Sequence, residues 1–257
     1  LDACFGESIL DNRISLFKTE VLSSYAGVFA TGNDGKYTFY DSQEGSKGAA
    51  SFNDISSTGT SLSGFNRDQQ VVVDLPFSFN FYGIDYNRTV IAENGGIAFR
   101  NSGTASFRNN ANIPSSSRSV PSNSIFPFWD DLTGGQIHTK QDGDKFIIQW
   151  SNFSSEDTGG SNLNFQAVLY KDSNSIDFVY KTAQDASSAT IGLTGSSGSG
   201  LKYSHNGKDV DDKDVSLNGV TSIRFVTEPQ LIDNNLVVKE GETVTLSTKE
   251  LNASDVD

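Results

Sequence analysis

One cysteine, two histidines and no methionine stand in a chain of 257 residues. Cys4 has no second thiol to pair with, so no internal disulfide forms. His138 and His205 belong to no Cys/His cluster and no His-x-x-x-His pattern, which argues against a zinc site. No G-x-S-x-G elbow occurs, and two histidines leave little material for a Ser-His-Asp triad. Basic residues are also scarce. Nineteen Lys and Arg face 32 Asp and Glu, giving a net charge of -13. That balance argues against nucleic acid, because phosphate binding needs clustered cations. No run approaches the roughly 20 apolar residues of a membrane helix. With no methionine at position 1, Leu1 is the expected start of a processed chain whose signal peptide has been removed. Leu1-Asp2-Ala3-Cys4 has the outline of a lipoprotein cleavage site, which Asp2 fits poorly; a free thiol is the simpler reading.

What the chain does have is aromatic and glycine residues. Eighteen Phe can fill a core, and 24 Gly supply turns, while charged residues are only 20%. This is the composition of a β-rich, turn-rich protein. The acidity suits an extracellular chain able to hold calcium, or simply a soluble surface.

Residues 1–30 carry the only helical character, with Ile9, Ile14, Leu16, Phe17, Val21 and Leu22 at mixed spacings, and form an expected N-terminal extension with room for a short helix. Strand signals follow. VVVDLPFSFNFYG (71–83) reads as two strands broken at Pro76, which cannot donate a ladder hydrogen bond. Hairpin turns are expected at Asn94-Gly95-Gly96, Asp142-Gly143 and Asp172-Ser173-Asn174. Phe146, Ile148 and Trp150 should share one face, as should Phe165, Ala167 and Leu169. The Phe77-Phe79-Phe81 ladder reads as core. Many short strands without helices between them predict a mainly β fold, an antiparallel β-sandwich over 31–227. Pro229 marks a joint, and 228–257 reads as a linker and the beginning of a second β module.

Candidate chemistry is thin. Asp130 and Asp131 form a carboxylate pair of the kind glycoside hydrolysis uses, but neighbours on a strand point to opposite faces. A structural role is the competing reading, one acid capping a loop while the other faces water. Trp129, Trp150, Tyr82 and Tyr86 offer an aromatic platform for sugar, but most such residues in a sandwich are core, and Trp150 alternates with Phe146 and Ile148. A ligand site is expected on the loops around Asn94 and Asp130, with Trp129 and Asp131 beside them. Asp209 and Asp211 lie in NGKDVDDKDV, where oxygen ligands at alternate positions suit calcium; interleaved Lys208 and Lys213 favour a solvated hairpin instead. Asn87, Asn152 and Asn252 begin N-x-[ST] patterns, expected to stay unmodified if the source is bacterial.

Three stretches in order carry a family likeness: LPFSFNFYGIDYNRTVIAENGGIAF, SIFPFWDDL, and KFIIQWSNF with LNFQAVLYKDSNSIDFVY. Together they resemble an extracellular module of bacterial surface proteins and, more distantly, of nidogen and plexin-domain-containing ectodomains. The likeness covers roughly residues 52–226. The tail LVVKEGETVTLSTKELNASDVD is similar to the first strands of cadherin-like repeats in bacterial adhesins and chondroitin sulfate proteoglycan ectodomains. In such repeats acids placed like Asp255 and Asp257 bind calcium at a domain junction. The two resemblances imply a non-enzymatic adhesion or recognition module of a large surface or secreted protein. It would present loops to a glycan or protein partner, followed by further repeats of the same polypeptide. A glycan-degrading hydrolase using Asp130 or Asp131, and a passive structural spacer, are the alternatives.

Overall fold

The structure is a computed structural model that describes residues 34–44, 50–65, 68–183, 185–196 and 198–227. The expected extension (1–30) and second module (228–257) lie outside the described residues. The strands run β1 (Tyr37–Asp41), β2 (Thr60–Ser61), β3 (Gln70–Phe81), β4 (Ile84–Ala92), β5 (Ile97–Phe99), β6 (Ser124–Trp129) and β7 (Leu132–Thr133). They continue as β8 (Gln136–Asp142), β9 (Lys145–Ser155), β10 (Leu163–Tyr170), β11 (Ile176–Thr182), β12 (Thr190–Thr194), β13 (Gly200–His205) and β14 (Ser222–Thr227). Among the described residues the only helical element is a single 3-10 turn, Ser42–Glu44.

Two sheets result. The larger has the order β1-β14-β11-β10-β9-β8-β2, with β7 also paired to β9. The smaller has the order β13-β12-β6-β5-β4-β3. Every pairing is antiparallel. Side chains alternate along each strand, so each sheet sends one apolar set inward. Phe146, Ile148 and Trp150 of β9 and Phe165, Ala167 and Leu169 of β10 meet Phe79, Phe81, Phe99 and Phe128 of the smaller sheet in one core. Trp150 stacks on Phe165 at 5.0 Å, and Phe79 on Phe99 at 5.2 Å. The Phe77-Phe79-Phe81 ladder is core, each side chain 8% exposed or less. Fully burying a side chain of this size contributes about 1.5–3 kcal/mol.

Pro76 does not divide two strands. β3 is continuous, and its register against β4 jumps from Asp74↔Arg88 to Phe79↔Tyr86. Pro76 lies inside that irregularity, where no ladder donor is needed. β6 shows a smaller bulge. Phe126 pairs with Gly192 and Trp129 with Thr190, so β6 spends one more residue than β12. Pro127 occupies the extra step. The bulge resets the alternation, sending Ile125 and Phe128 into the main core and Phe126 and Trp129 to the opposite face.

Both outer faces are partly covered. On the smaller sheet Ala105, Phe107, Ile113 and Val120, from the long connection before β6, pack against Val90, Phe126 and Trp129. On the larger sheet Ala50, Phe52 and Ile55 pack against Ile147, Val168 and Val179. This second cover stops at Ile55 and leaves the polar end of the face open.

Candidate functional site

The turn between β4 and β5 is built by close approach. Gly95 has φ +75°, and a Cβ there would sit 1.9 Å from the Phe128 carbonyl oxygen. A Cβ on Gly96 would sit 2.2 Å from the Phe107 ring. Only glycine lets this turn lie against β6 and the covering connection.

Asn94, thus held, is 1% exposed and spends its whole side chain on the fold. Its Nδ2 donates to Asp68 Oδ1 at 2.9 Å, to the Phe107 carbonyl at 3.0 Å and to the Arg108 carbonyl at 3.1 Å. Its Oδ1 accepts from the Leu132 N–H at 3.2 Å, and its carbonyl accepts from the Asp130 N–H at 3.2 Å. Trp129 is fully buried and stacked on Phe126 at 4.8 Å, with its indole N–H donating to the Phe107 carbonyl. Of the residues expected around a ligand site, Trp129 is turned under the covering connection by the β6 bulge, and Asn94 ties that connection down.

Asp130 is also fully buried. Its Oδ2 accepts from Ser155 Oγ and Ser188 Oγ, both at 2.7 Å, joining β6 to β9 and to the loop before β12. Its Oδ1 has no hydrogen-bond partner. Burial pushes the carboxyl above the usual carboxylate range, against the opposing pull of the two hydroxyls. Asp131 is half-buried, and its carbonyl accepts from the Glu156 N–H. Glu93, which sequence reasoning passed over, is 6% exposed with an unpartnered Oε2. Burial raises its carboxyl too, with the Asp68 and Asp131 charges adding to the shift. The structure thus gathers Glu93, Asn94, Trp129, Asp130 and Asp131 at one end of the smaller sheet, mostly as internal ties.

Asp209 and Asp211 sit on a separate hairpin. Asp209 Oδ1 accepts from the N–H groups of Asp211 at 2.8 Å and Lys213 at 2.9 Å, and these backbone bonds hold its carboxyl below the usual range. Asp211 pairs with Lys213 at 3.2 Å and Asp214 with Lys208 at 2.7 Å. Among the described residues no three His, Cys, Asp or Glu converge as a metal cage. Asp255 and Asp257 lie outside the described residues. His205 shares a 2.8 Å hydrogen bond with Thr190 Oγ1, and burial lowers its pKa, with Lys202 adding to the shift.

A second polar assembly was not anticipated. On the outer face of the larger sheet Asp54, Gln149, Ser151, Asn152, Asn164 and Lys181 line a cavity of about 170 Å³. Alternating polar residues on β9 signal only a solvent-facing side, so nothing in the sequence distinguishes this face from ordinary surface.

A two-sheet antiparallel sandwich with one end of the smaller sheet tied by buried polar groups defines the class: a β-sandwich module. A family model described as NIDO related matches residues 37–234, and the chain belongs to that family. It is a nidogen-like module, a kind of domain typically extracellular. No helix among the described residues is long and apolar enough to cross a membrane. Neither the search of curated proteins nor that of solved structures found a match.

Proposed function

We propose that this chain is a non-enzymatic recognition module of a larger surface or secreted protein, and that it displays exposed side chains of a rigid sandwich to a partner. The observation that carries the reading is the state of the Asp130–Asp131 pair. Glycoside cleavage needs two carboxyls flanking one bond, about 5–9.5 Å apart across an open space. Asp130 is instead enclosed and held by Ser155 and Ser188. A bacterial surface setting and a following cadherin-like repeat are supported by the resemblances of residues 52–226 and of the tail. Calcium, in this reading, acts through Asp255 and Asp257 at the junction, since Asp209 and Asp211 already serve their own hairpin and its lysines.

The test uses the full chain, labelled and applied to arrays of matrix proteins and glycans, with a parallel assay for released sugar. Binding without turnover is the expected result. Turnover abolished by Asp130→Asn would instead establish the hydrolase reading. Absence of binding to every surface would leave the chain a spacer.

A further inference from the structure

The polar cavity on the larger sheet has the features of a built site. Its floor is a closed network. Gln149, 1% exposed, donates through Nε2 to Asp54 Oδ1 at 3.0 Å and to Ser151 Oγ at 2.8 Å. Its Oε1 accepts from the Ile55 N–H at 2.9 Å and from Gln166 Nε2 at 2.7 Å. Every polar position of that amide is used, so the floor cannot rearrange without leaving buried groups unpaired. On one wall Asn164 Oδ1 accepts from the Asn152 N–H at 3.1 Å. Asn152 is the bulge residue of β9: the register against β10 moves from Trp150↔Phe165 to Phe153↔Leu163, and Asn152 has φ 58°. A bulge re-aims a side chain out of the ladder. On the other wall Lys181 Nζ meets Asp54 Oδ2 at 3.2 Å and lies over the Phe52 ring at 5.5 Å.

The rim retains unused hydrogen-bonding capacity. The Asn152 amide makes no side-chain bond, the Ser151 hydroxyl only accepts, and Asp54 Oδ2 accepts from Lys181 at the cavity edge. Hydrogen bonds from Gln149 and Ser56 hold the Asp54 carboxyl far below the usual range, so it stays an acceptor. An ionised carboxylate, an amide and an ammonium together offer fixed acceptors and donors side by side. A vicinal diol, each of whose hydroxyls both donates and accepts, matches that set. An anion would face Asp54 and a net charge of -13, and a cation would face Lys181. A peptide would need an open ladder edge or apolar pockets. Pockets for drug-sized ligands run about 300–1,000 Å³, so this one takes a single ring.

We infer that the groove formed by Asp54, Ser151, Asn152 and Lys181 over Gln149 binds one sugar residue of a neutral saccharide through a pair of its hydroxyls. This rests on the recognition reading above and names its ligand class. Asp54 is the only acid in the lining, so the groove holds a glycan without cleaving it.

The experiment titrates the full chain with methyl glycosides of glucose, galactose, mannose and N-acetylglucosamine, read by saturation-transfer NMR, beside the protein and glycan arrays. At least one glycoside should bind. Asp54→Asn and Asn152→Gly should each weaken that binding about tenfold or more, the expected loss for a charge-assisted or well-placed hydrogen bond. Glycine keeps the positive φ, and an unchanged Tm for both variants excludes misfolding. Binding undiminished in both variants would place the site elsewhere and overturn the inference. Binding confined to anionic glycans, or to proteins, would overturn it while leaving the recognition reading intact. Binding to nothing on either array would remove both.

Discussion

Replacing Asn94 tests the central tie of the smaller sheet. Asn94→Ala deletes four contacts at once, but their losses differ. The Phe107 carbonyl keeps the Trp129 indole, and the Arg108 carbonyl and Asp68 lie near enough to the surface for water to replace the amide. The Leu132 N–H is buried and loses its acceptor. A stranded buried donor costs about 1–3 kcal/mol, and the remaining net bonds bring the expected loss to about 2–4 kcal/mol. Asn94→Asp keeps the acceptor for Leu132 but turns an oxygen toward one carboxylate and two carbonyls. At neutral pH it should cost about 2 kcal/mol more than the alanine variant. The introduced carboxyl would have a raised folded pKa. Its stability contribution is then complete below its unfolded pKa and lost as pH rises through the folded one. Urea unfolding at pH 7 and near pH 4 reads both effects, with an unchanged slope confirming the same transition. A loss under about 1 kcal/mol for Asn94→Ala, or equal losses for the two variants at pH 7, would refute the reasoning.

Gly95→Ala should be still less tolerated, because its Cβ meets the Phe128 backbone and its φ is positive; chemical denaturation should show a loss above about 3 kcal/mol, or no folded protein. Asp130 has a raised folded pKa, so its contribution is present below its unfolded pKa of about 3.9 and declines as pH rises through the folded value. Asp130→Asn, uncharged throughout, should therefore gain stability relative to the parent between acid and neutral pH; a Tm difference that does not change with pH would contradict this. On the larger sheet Asp177 is fully buried, with both oxygens held by Arg224 at 2.7 Å and Tyr170 Oη adding a third bond. Arg224→Ala should cost about 3–5 kcal/mol, and adding Asp177→Asn should restore part of it; additive losses in the double variant would refute the pairing.

The readable parts of this protein were those governed by local rules. Period-two alternation put Phe79, Trp150 and Phe165 into one core, and the Asp142-Gly143 and Asp172-Ser173-Asn174 turns joined the strands they were expected to join. Pro76 misled, because a missing donor ends a strand in isolation but is harmless within an irregular register. The roles of the candidate site residues were unreadable for a related reason. Trp129 and Asp130 sit in a motif-like run, yet which way each points depends on one extra residue in β6 relative to β12, a strand 60 residues away in the chain.

Composition and alternation by themselves determined a β-rich sandwich, its core aromatics and most of its hairpins, because each follows from a few adjacent side chains. Only the tertiary structure decided that Asn94 and Asp130 are enclosed ties, and that Asp54, Asn152 and Lys181 meet around Gln149. Those outcomes depend on strand order, bulges and where a covering segment stops, and such contacts join residues whose separation in the chain carries no signal of their meeting.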